Sequence, residues 1–514
     1  MASSLKHPVI PAFMPAPVAP RRQLRRRLPP PSVRTLAGAT VHAVMAVTTA
    51  ATLALGATTL TAAPAHAQTR AELERIVQRR VLPNGLEVIV VENHGVPIAT
   101  LEIDVKNGAF TQTPDYAGLA HMYEHMFFKA NRDYPSPQAF ADRASELGAI
   151  YNGTTQEERV NYYLTLPADS LEGGLRFLAS SLRWPLFRDD DLASEKEVVL
   201  GEYDRAESSP FFALDQRMTA LLYPGNASRK DALGDRTVLR NVTAEQMRTI
   251  QRLYYVPNNT ALIVTGDVEP ARVFALAEEI LGDWERGPDP FTVAPIPPIP
   301  PLDGHQAVIS EVPVSVATVL LQWQGPSASR DPDATFAADV FSDALNTPGS
   351  GFRTRLVDSG LWQDIVVNYY TLNHVGPITI SGQTSPEKLR EALAALDVEI
   401  ARFGEAGYVT PQELENVKAQ RVTSSAFGIE KASGIAHTIG FWWSVVGLDY
   451  FLGYNDAMAA QTAADLQRYV TTYIVGKPRV TGVLIDGRAR AAIGLTEAEL
   501  TQVPIRATRT GGAP

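Results

Sequence analysis

No cysteine occurs in the 514 residues, which excludes disulfides, thiol nucleophiles and thiolate metal ligands. Any bound metal must therefore be held by His, Asp or Glu. Histidine is itself sparse, nine in all, and acidic residues are missing altogether from positions 1–67. That stretch carries Lys6, Arg21, Arg22, Arg25, Arg26, Arg27 and Arg34 instead. An Ala/Thr/Leu/Val-rich run follows from Leu36 to Leu60, then Ala65-His66-Ala67 before Gln68. A basic region, an apolar core and an A-x-A site in that order describe a secretory signal. The expectation is an exported, periplasmic or secreted protein cleaved near Ala67. Losing those seven positive charges takes the formal net charge from −10 to −17, which argues against nucleic acid as a partner. The remaining composition, 45% hydrophobic and 20% charged over the whole chain, suits two or more domains with sizeable cores.

What is present is a histidine pair at informative spacing. Gly118 to Ala130 reads GLAHMYEHMFFKA and holds His121, Glu124 and His125 within a run of helical periodicity. On a helix, residues four apart stack on one face and a residue three along is their neighbour. Two imidazoles and a carboxylate thus project into one small volume. That is the donor set of a catalytic zinc site: two neutral nitrogen ligands and a carboxylate placed to take a proton from water on the metal. H-x-x-E-H is the inverted form of the commoner zinc helix.

Along the chain, Asn84-Gly85 marks a turn, with strands expected at Leu86–Val91 and Ile98–Val105. After the motif helix come a helix at Gln138–Leu147, a strand pair at Ala149–Thr155 and Arg159–Leu166, and helices at Leu171–Leu182, Leu192–Ala206, Pro210–Leu222 and Ala244–Tyr254. A strand at Ala261–Thr265 and a helix at Ala271–Asp283 complete this part. Residues 288–302 are Pro-rich and read as a semi-rigid linker. The order of elements then restarts with strands at Ala307–Glu311 and Val316–Trp323 and a helix at Ala334–Leu345. Two α+β halves of similar topology follow, 68–287 and 303–514, an internal repeat of about 200 residues. The second-half counterpart of the motif helix, FAADVFSDALN, has no histidine, so metal chemistry is expected in the first half alone. The aromatic run Phe441-Trp442-Trp443 with Tyr450-Phe451 reads as helix-core packing.

A third ligand is required. None of His94, His305, His374 and His437 has a motif partner, whereas Glu195 and Glu202 lie two turns apart on one helix face. Here the sequence resembles the pitrilysin family, which includes insulin-degrading enzyme and the β subunit of mitochondrial processing peptidase. The matching stretches, in order, are VLPNGLEVIV, GLAHMYEHMFFKA, LGAIYNGTTQEERVNYY, EKEVVLGEYDR and YYVPNNTALIVTGDV, with Glu202 standing 77 residues after His125. The resemblance implies two similar α/β-sandwich halves, mitochondrial-processing-peptidase-like, and a zinc metalloendopeptidase with one Zn2+ per chain. It implies His121, His125 and Glu202 as ligands, Glu124 as general base, and Glu195 as the acid that orients a ligand. Asn152-Gly153 falls where the family has Asn-Ala on an edge strand that pairs with the substrate backbone.

The resemblance departs in the second half. Aligned on Gly360-Leu361, the family's substrate-holding Arg and Tyr fall at Leu356 and Gln363, leaving the neighbouring Arg353 and Arg355 as candidates. Half-length chains of the family often pair, so a homodimer, or a heterodimer with a related metal-free subunit, is expected. The competing reading is a non-catalytic scaffold or assembly subunit of the same fold. Such relatives typically lose motif residues, and none is lost here.

Overall fold

The structure, a computed structural model, describes residues 69–428 and 431–505, the side chains of 422–428 excepted. The expected signal segment lies outside the described residues. Eleven strands form two sheets among those described. The first comprises β1 (Val77–Val81), β2 (Glu87–Glu92), β3 (Ile98–Val105), β4 (Ile150–Thr155), β5 (Val160–Pro167) and β6 (Thr260–Gly266) in the order β1-β2-β6-β3-β5-β4. Only β2 and β6 run parallel; the other neighbours are antiparallel. The second has β7 (Gln306–Glu311), β8 (Ala317–Gln324), β9 (Asp364–Tyr369), β10 (Pro377–Thr384) and β11 (Val480–Ile485) in the order β7-β11-β8-β10-β9, again with one parallel pair. The two halves are thus alike, with mixed sheets and helices against them.

Each sheet is covered on both faces, which is why central β6 reads as a continuous apolar run rather than an alternating one. In β3 the alternation survives underneath. Leu101, Ile103 and Val105 enter the main core of the first half, while Thr100, Glu102 and Asp104, equally buried, face the other way. That other face is roofed by a helix from the second half, Ala432–Val445, whose Ile435, Ala436, Ile439 and Trp443 join Ile89, Val91, Ala261 and Ile263 in a separate cluster. Of the aromatic run only Trp443 is core, and it packs in the core of the other half's sheet; Phe441, Trp442, Tyr450 and Phe451 are half-buried. Arg159 bridges Glu102 and Asp104 beneath the roof and donates to the His437 carbonyl at 3.0 Å, while the His437 ring lies 2.5 Å from Glu102. The helix lies so close that a Cβ on Gly440 would fall 2.3 Å from Asp104 Oδ2.

The exchange is reciprocal. Helix Phe212–Leu222 belongs to the first half in sequence, yet its Leu214, Met218 and Leu222 pack on Val308, Val480 and Leu484 of the second sheet. Buried aliphatic residues of this kind each stabilise by roughly 1.5–3 kcal/mol relative to exposure, so each sheet depends on the other half for one of its faces.

Candidate metal centre

Helix Leu119–Phe127 starts without a side-chain cap of its own; Gln112 supplies one from outside, its Oε1 accepting from Gly118 N at 2.9 Å and Ala120 N at 3.2 Å. Met122, Tyr123, Met126 and Phe127 face the core, with Tyr123 stacked on Tyr255 and Phe127 on Tyr162. That fixes the rotation of the helix and turns His121 and His125 toward helix Asp189–Glu207 and Glu124 toward strand Ile150–Thr155. On the latter, Leu192, Glu195, Val199 and Glu202 form the buried stripe. Two glutamates thus occupy positions where helical carboxylates are seldom found.

His121 Nε2 and His125 Nε2 stand 3.2 Å apart, and Glu202 Oε2 lies 3.5 Å from each. A tetrahedral ion with ligands at 2.0–2.1 Å has ligand–ligand edges of about 3.3–3.4 Å, so this triangle fits zinc without rearrangement. Among the described residues it is the only group of three such side chains so placed. Glu195 grips the outer nitrogen, Oε2 to His125 Nδ1 at 3.0 Å, which leaves Nε2 as the metal donor. Its other oxygen pairs with Lys129 Nζ at 2.6 Å.

The electrostatics are those of a site built around a cation. Burial, helped by the charge of His125, holds His121 down to about 3, so that ring is neutral. Burial also acts to lower His125, but its hydrogen bonds to Glu195 and Glu202 and the charge of Glu124 outweigh it and carry the ring up to about 9. The proton retained there stands where a dication would act, and metal binding would release it. Burial pushes Glu124 up to about 7, against the hydrogen bond from Thr155 and the charge of His125. Glu195 is held below the usual carboxylate range: burial opposes this, and the bonds from His125 and Lys129 prevail.

Glu124 lies against β4, the outermost strand of its sheet. Thr155 Oγ1 donates to Glu124 Oε2 at 2.9 Å, and a Cβ on Gly153 would sit 2.9 Å from Glu124 Cγ and 3.0 Å from Oε1. Gly153 therefore makes room for the carboxylate, while Asn152 points outward and is exposed. Sequence reasoning missed Thr155, Lys129 and Gln112. The period-2 rule offered a signal for Thr155, which shares the inward face of β4 with Gly153.

Two models of known families match, one described as insulinase (peptidase family M16) over residues 87–235 and one as the peptidase M16 inactive domain over 241–421. The chain belongs to peptidase family M16. Within M16, it is 24% identical over 363 residues to the zinc protease PqqE of Helicobacter pylori, covering 69% of this chain and 80% of that relative. It is 22% identical over 434 residues to the mitochondrial-processing peptidase subunit beta of Dictyostelium discoideum, covering 78% and 87%. A crystal structure of a protease from Helicobacter pylori superposes with a TM-score of 0.70 at 22% identity, over 79% of this chain and 99% of the other. The first half of the periplasmic protease PqqL from Escherichia coli gives 0.67 at 16% identity, over 82% and 94%. At these identities the structural likeness speaks for the M16 fold alone.

The region matched by the inactive-domain model carries different side chains at the corresponding place. Helix Pro332–Asn346 stands where the motif helix stands in the first half, with Asp339 and Asp343 four apart, and Arg421 from helix Pro411–Gly428 reaches Asp343 Oδ2 at 2.6 Å. A guanidinium thus lies between two second-half helices whose first-half counterparts, Leu119–Phe127 and Asp189–Glu207, carry the candidate ligands. The edge of β9 is closed as well: Asn346 accepts from Val367 N at 2.9 Å and donates to Val367 O at 2.7 Å. Arg353 donates to Ile365 O at 2.9 Å and pairs with Asp364 at 2.9 Å, and Arg355 pairs with Glu399 at 2.9 Å. Both candidate substrate arginines are engaged within their own half, and the structure does not bring them together with the motif residues.

Proposed function

We propose that this chain is an exported zinc-dependent endopeptidase that cleaves peptides or unfolded segments. The observation that carries the reading is the ligand triangle of His121, His125 and Glu202 with Glu124 beside it. Bound there, zinc would polarise the scissile carbonyl and acidify the attacking water. Glu124, poised near neutrality, takes the proton from that water and passes it to the leaving amine. Thr155 holds Oε2 of Glu124, so Oε1 is the oxygen left for the water. Glu195 holds His125 in the tautomer that presents Nε2. The outer edge of β4, with exposed Asn152, offers main-chain groups that pair with an extended peptide and make little demand on its sequence.

Export and pairing are part of the proposal. The basic and apolar segments ahead of Ala67 support the first. For the second, a relative is named as one subunit of a processing peptidase, and this chain would pair with a second copy or a related metal-free chain. The decisive experiment uses mature protein and a mixed peptide library read by mass spectrometry. Wild type is expected to bind one zinc and release fragments, and Glu124→Gln to keep the zinc and release none. Zinc-loaded wild type that leaves the library intact, alone and with a co-expressed homologue, would point to a scaffold.

A further inference from the structure

β4 ends at Thr155, and the next four residues form the turn of the β4–β5 hairpin. Three of them are charged and directed at the second half of the chain. Glu157 Oε2 accepts from Tyr370 OH at 3.0 Å. Glu158, only 2% exposed, accepts from Asn373 N at 2.6 Å, His374 N at 2.8 Å and His374 Nδ1 at 3.1 Å. Arg159 reaches the His437 carbonyl. The loop Tyr370–Gly376 that meets these carboxylates is itself fixed from the first half. Lys230 Nζ donates to His374 O at 2.6 Å and Val375 O at 2.9 Å, and the His374 ring lies 5.2 Å from Phe110.

The loop also carries strain. Val375 has φ 62, the left-handed region, where a β-branched side chain is an outlier costing on the order of 1–3 kcal/mol. Such a conformation persists only where its surroundings over-determine it. Here Lys230 holds its carbonyl, and its side chain packs on the cluster containing Leu222 and Tyr223. A buried carboxylate, a half-buried ammonium and a strained residue converge on one turn. That turn begins one residue after the hydroxyl that holds Glu124.

We infer that the Tyr370–Gly376 loop of the metal-free half is a positioning element for the general base, holding the β4–β5 hairpin so that Thr155 and Gly153 keep Glu124 in place. The inference rests on the proposed peptidase reading for its effect on rate, but the coupling itself has a separate readout. Glu158 and Tyr370 are positioning residues: they touch neither the ligands nor the base, and they act through the hairpin. Displacements of an ångström or less at a reacting group cost up to about a hundredfold in rate, so removing these contacts is expected to be visible in kcat.

The test compares zinc-loaded mature wild type with Glu158→Gln and Tyr370→Phe. Amide hydrogen exchange should accelerate at least about tenfold across residues 150–158 in Glu158→Gln and less in Tyr370→Phe, with helix Leu171–Arg183 unchanged. Peptide cleavage should fall roughly 10–100-fold in Glu158→Gln, carried mainly by kcat, with one zinc per chain retained. If Glu158→Gln does not fold, Tyr370→Phe, which deletes a single hydroxyl, carries the same comparison. Unchanged hairpin exchange overturns the inference, and so does faster exchange with wild-type kcat. Should wild type cleave nothing, the peptidase reading fails, and the exchange result alone decides whether the second half holds the hairpin.

Discussion

The hydroxyl of Thr155 donates to one oxygen of Glu124 at 2.9 Å, so the edge strand β4 and the proposed general base are directly joined. That bond favours the charged carboxylate, against the burial that pushes Glu124 up to about 7. The ionised form is the active one, and activity is lost as pH falls through its pKa. Thr155→Val removes a stabiliser of that form and should move the acid limb of kcat/KM upward by about one pH unit, with Thr155→Ser restoring it. A pH–rate profile of the three proteins checks this.

Metal removal should destabilise the protein in a pH-dependent way. In the metal-free site His125 is raised to about 9, a contribution fully present below its ordinary 6.5 and lost as pH rises through 9. Glu124, raised to about 7, changes in the same direction above its ordinary 4.5. Metal-free protein should therefore lose stability between pH 6.5 and 9, while zinc binds better once the competing proton has gone. The rise in Tm on adding zinc is expected to be larger at pH 9 than at pH 6.5, and absent in Glu202→Gln. Thermal melts with and without a chelator measure both.

Glu195 lies between a ligand and a lysine, 3.0 Å from His125 and 2.6 Å from Lys129. Glu195→Gln should keep the fold and weaken zinc affinity by about 10–100-fold, as loss of a carboxylate behind a ligand typically does. Competition with a chromogenic chelator gives the number.

Arg159 is 6% exposed and pairs with two carboxylates that are fully buried. Arg159→Met strands Asp104, while Glu102 keeps Asn161 and His437, and should cost about 3–5 kcal/mol of stability, since breaking a buried pair leaves an uncompensated ion. Asp104 is already held well above the usual carboxylate range by burial, so its proton would partly relieve the variant at low pH. Denaturant unfolding at pH 5 and pH 8 separates the two.

Much of the first half was legible because its signals are local. The strand at Ile98–Val105 is found where expected, and the motif helix follows from i, i+4 spacing alone. The distal glutamates were legible as a pair on one helix face, and the resemblance singled out Glu202, which the structure places 3.5 Å from both imidazoles. Helix Ala432–Val445 was legible only as apolar and aromatic; which sheet it covers is a tertiary fact with no periodicity of its own. Arg353 and Arg355 drew notice by proximity in sequence, but a neighbouring carboxylate holds each, and spacing cannot show that Glu399 lies 44 residues away in the chain and beside Arg355 in space.

The reciprocal loan of helices makes the two halves unable to part company. A cut within the Pro-rich stretch from Pro295 to Pro301 would sever one peptide bond and release nothing, because each fragment would still be roofing the other. Expressed alone, either fragment would present a bare apolar sheet face to water and aggregate; expressed together, they should reassemble into one soluble particle. A chain built this way could become two genes without changing its shape, and neither product could then be lost without the other.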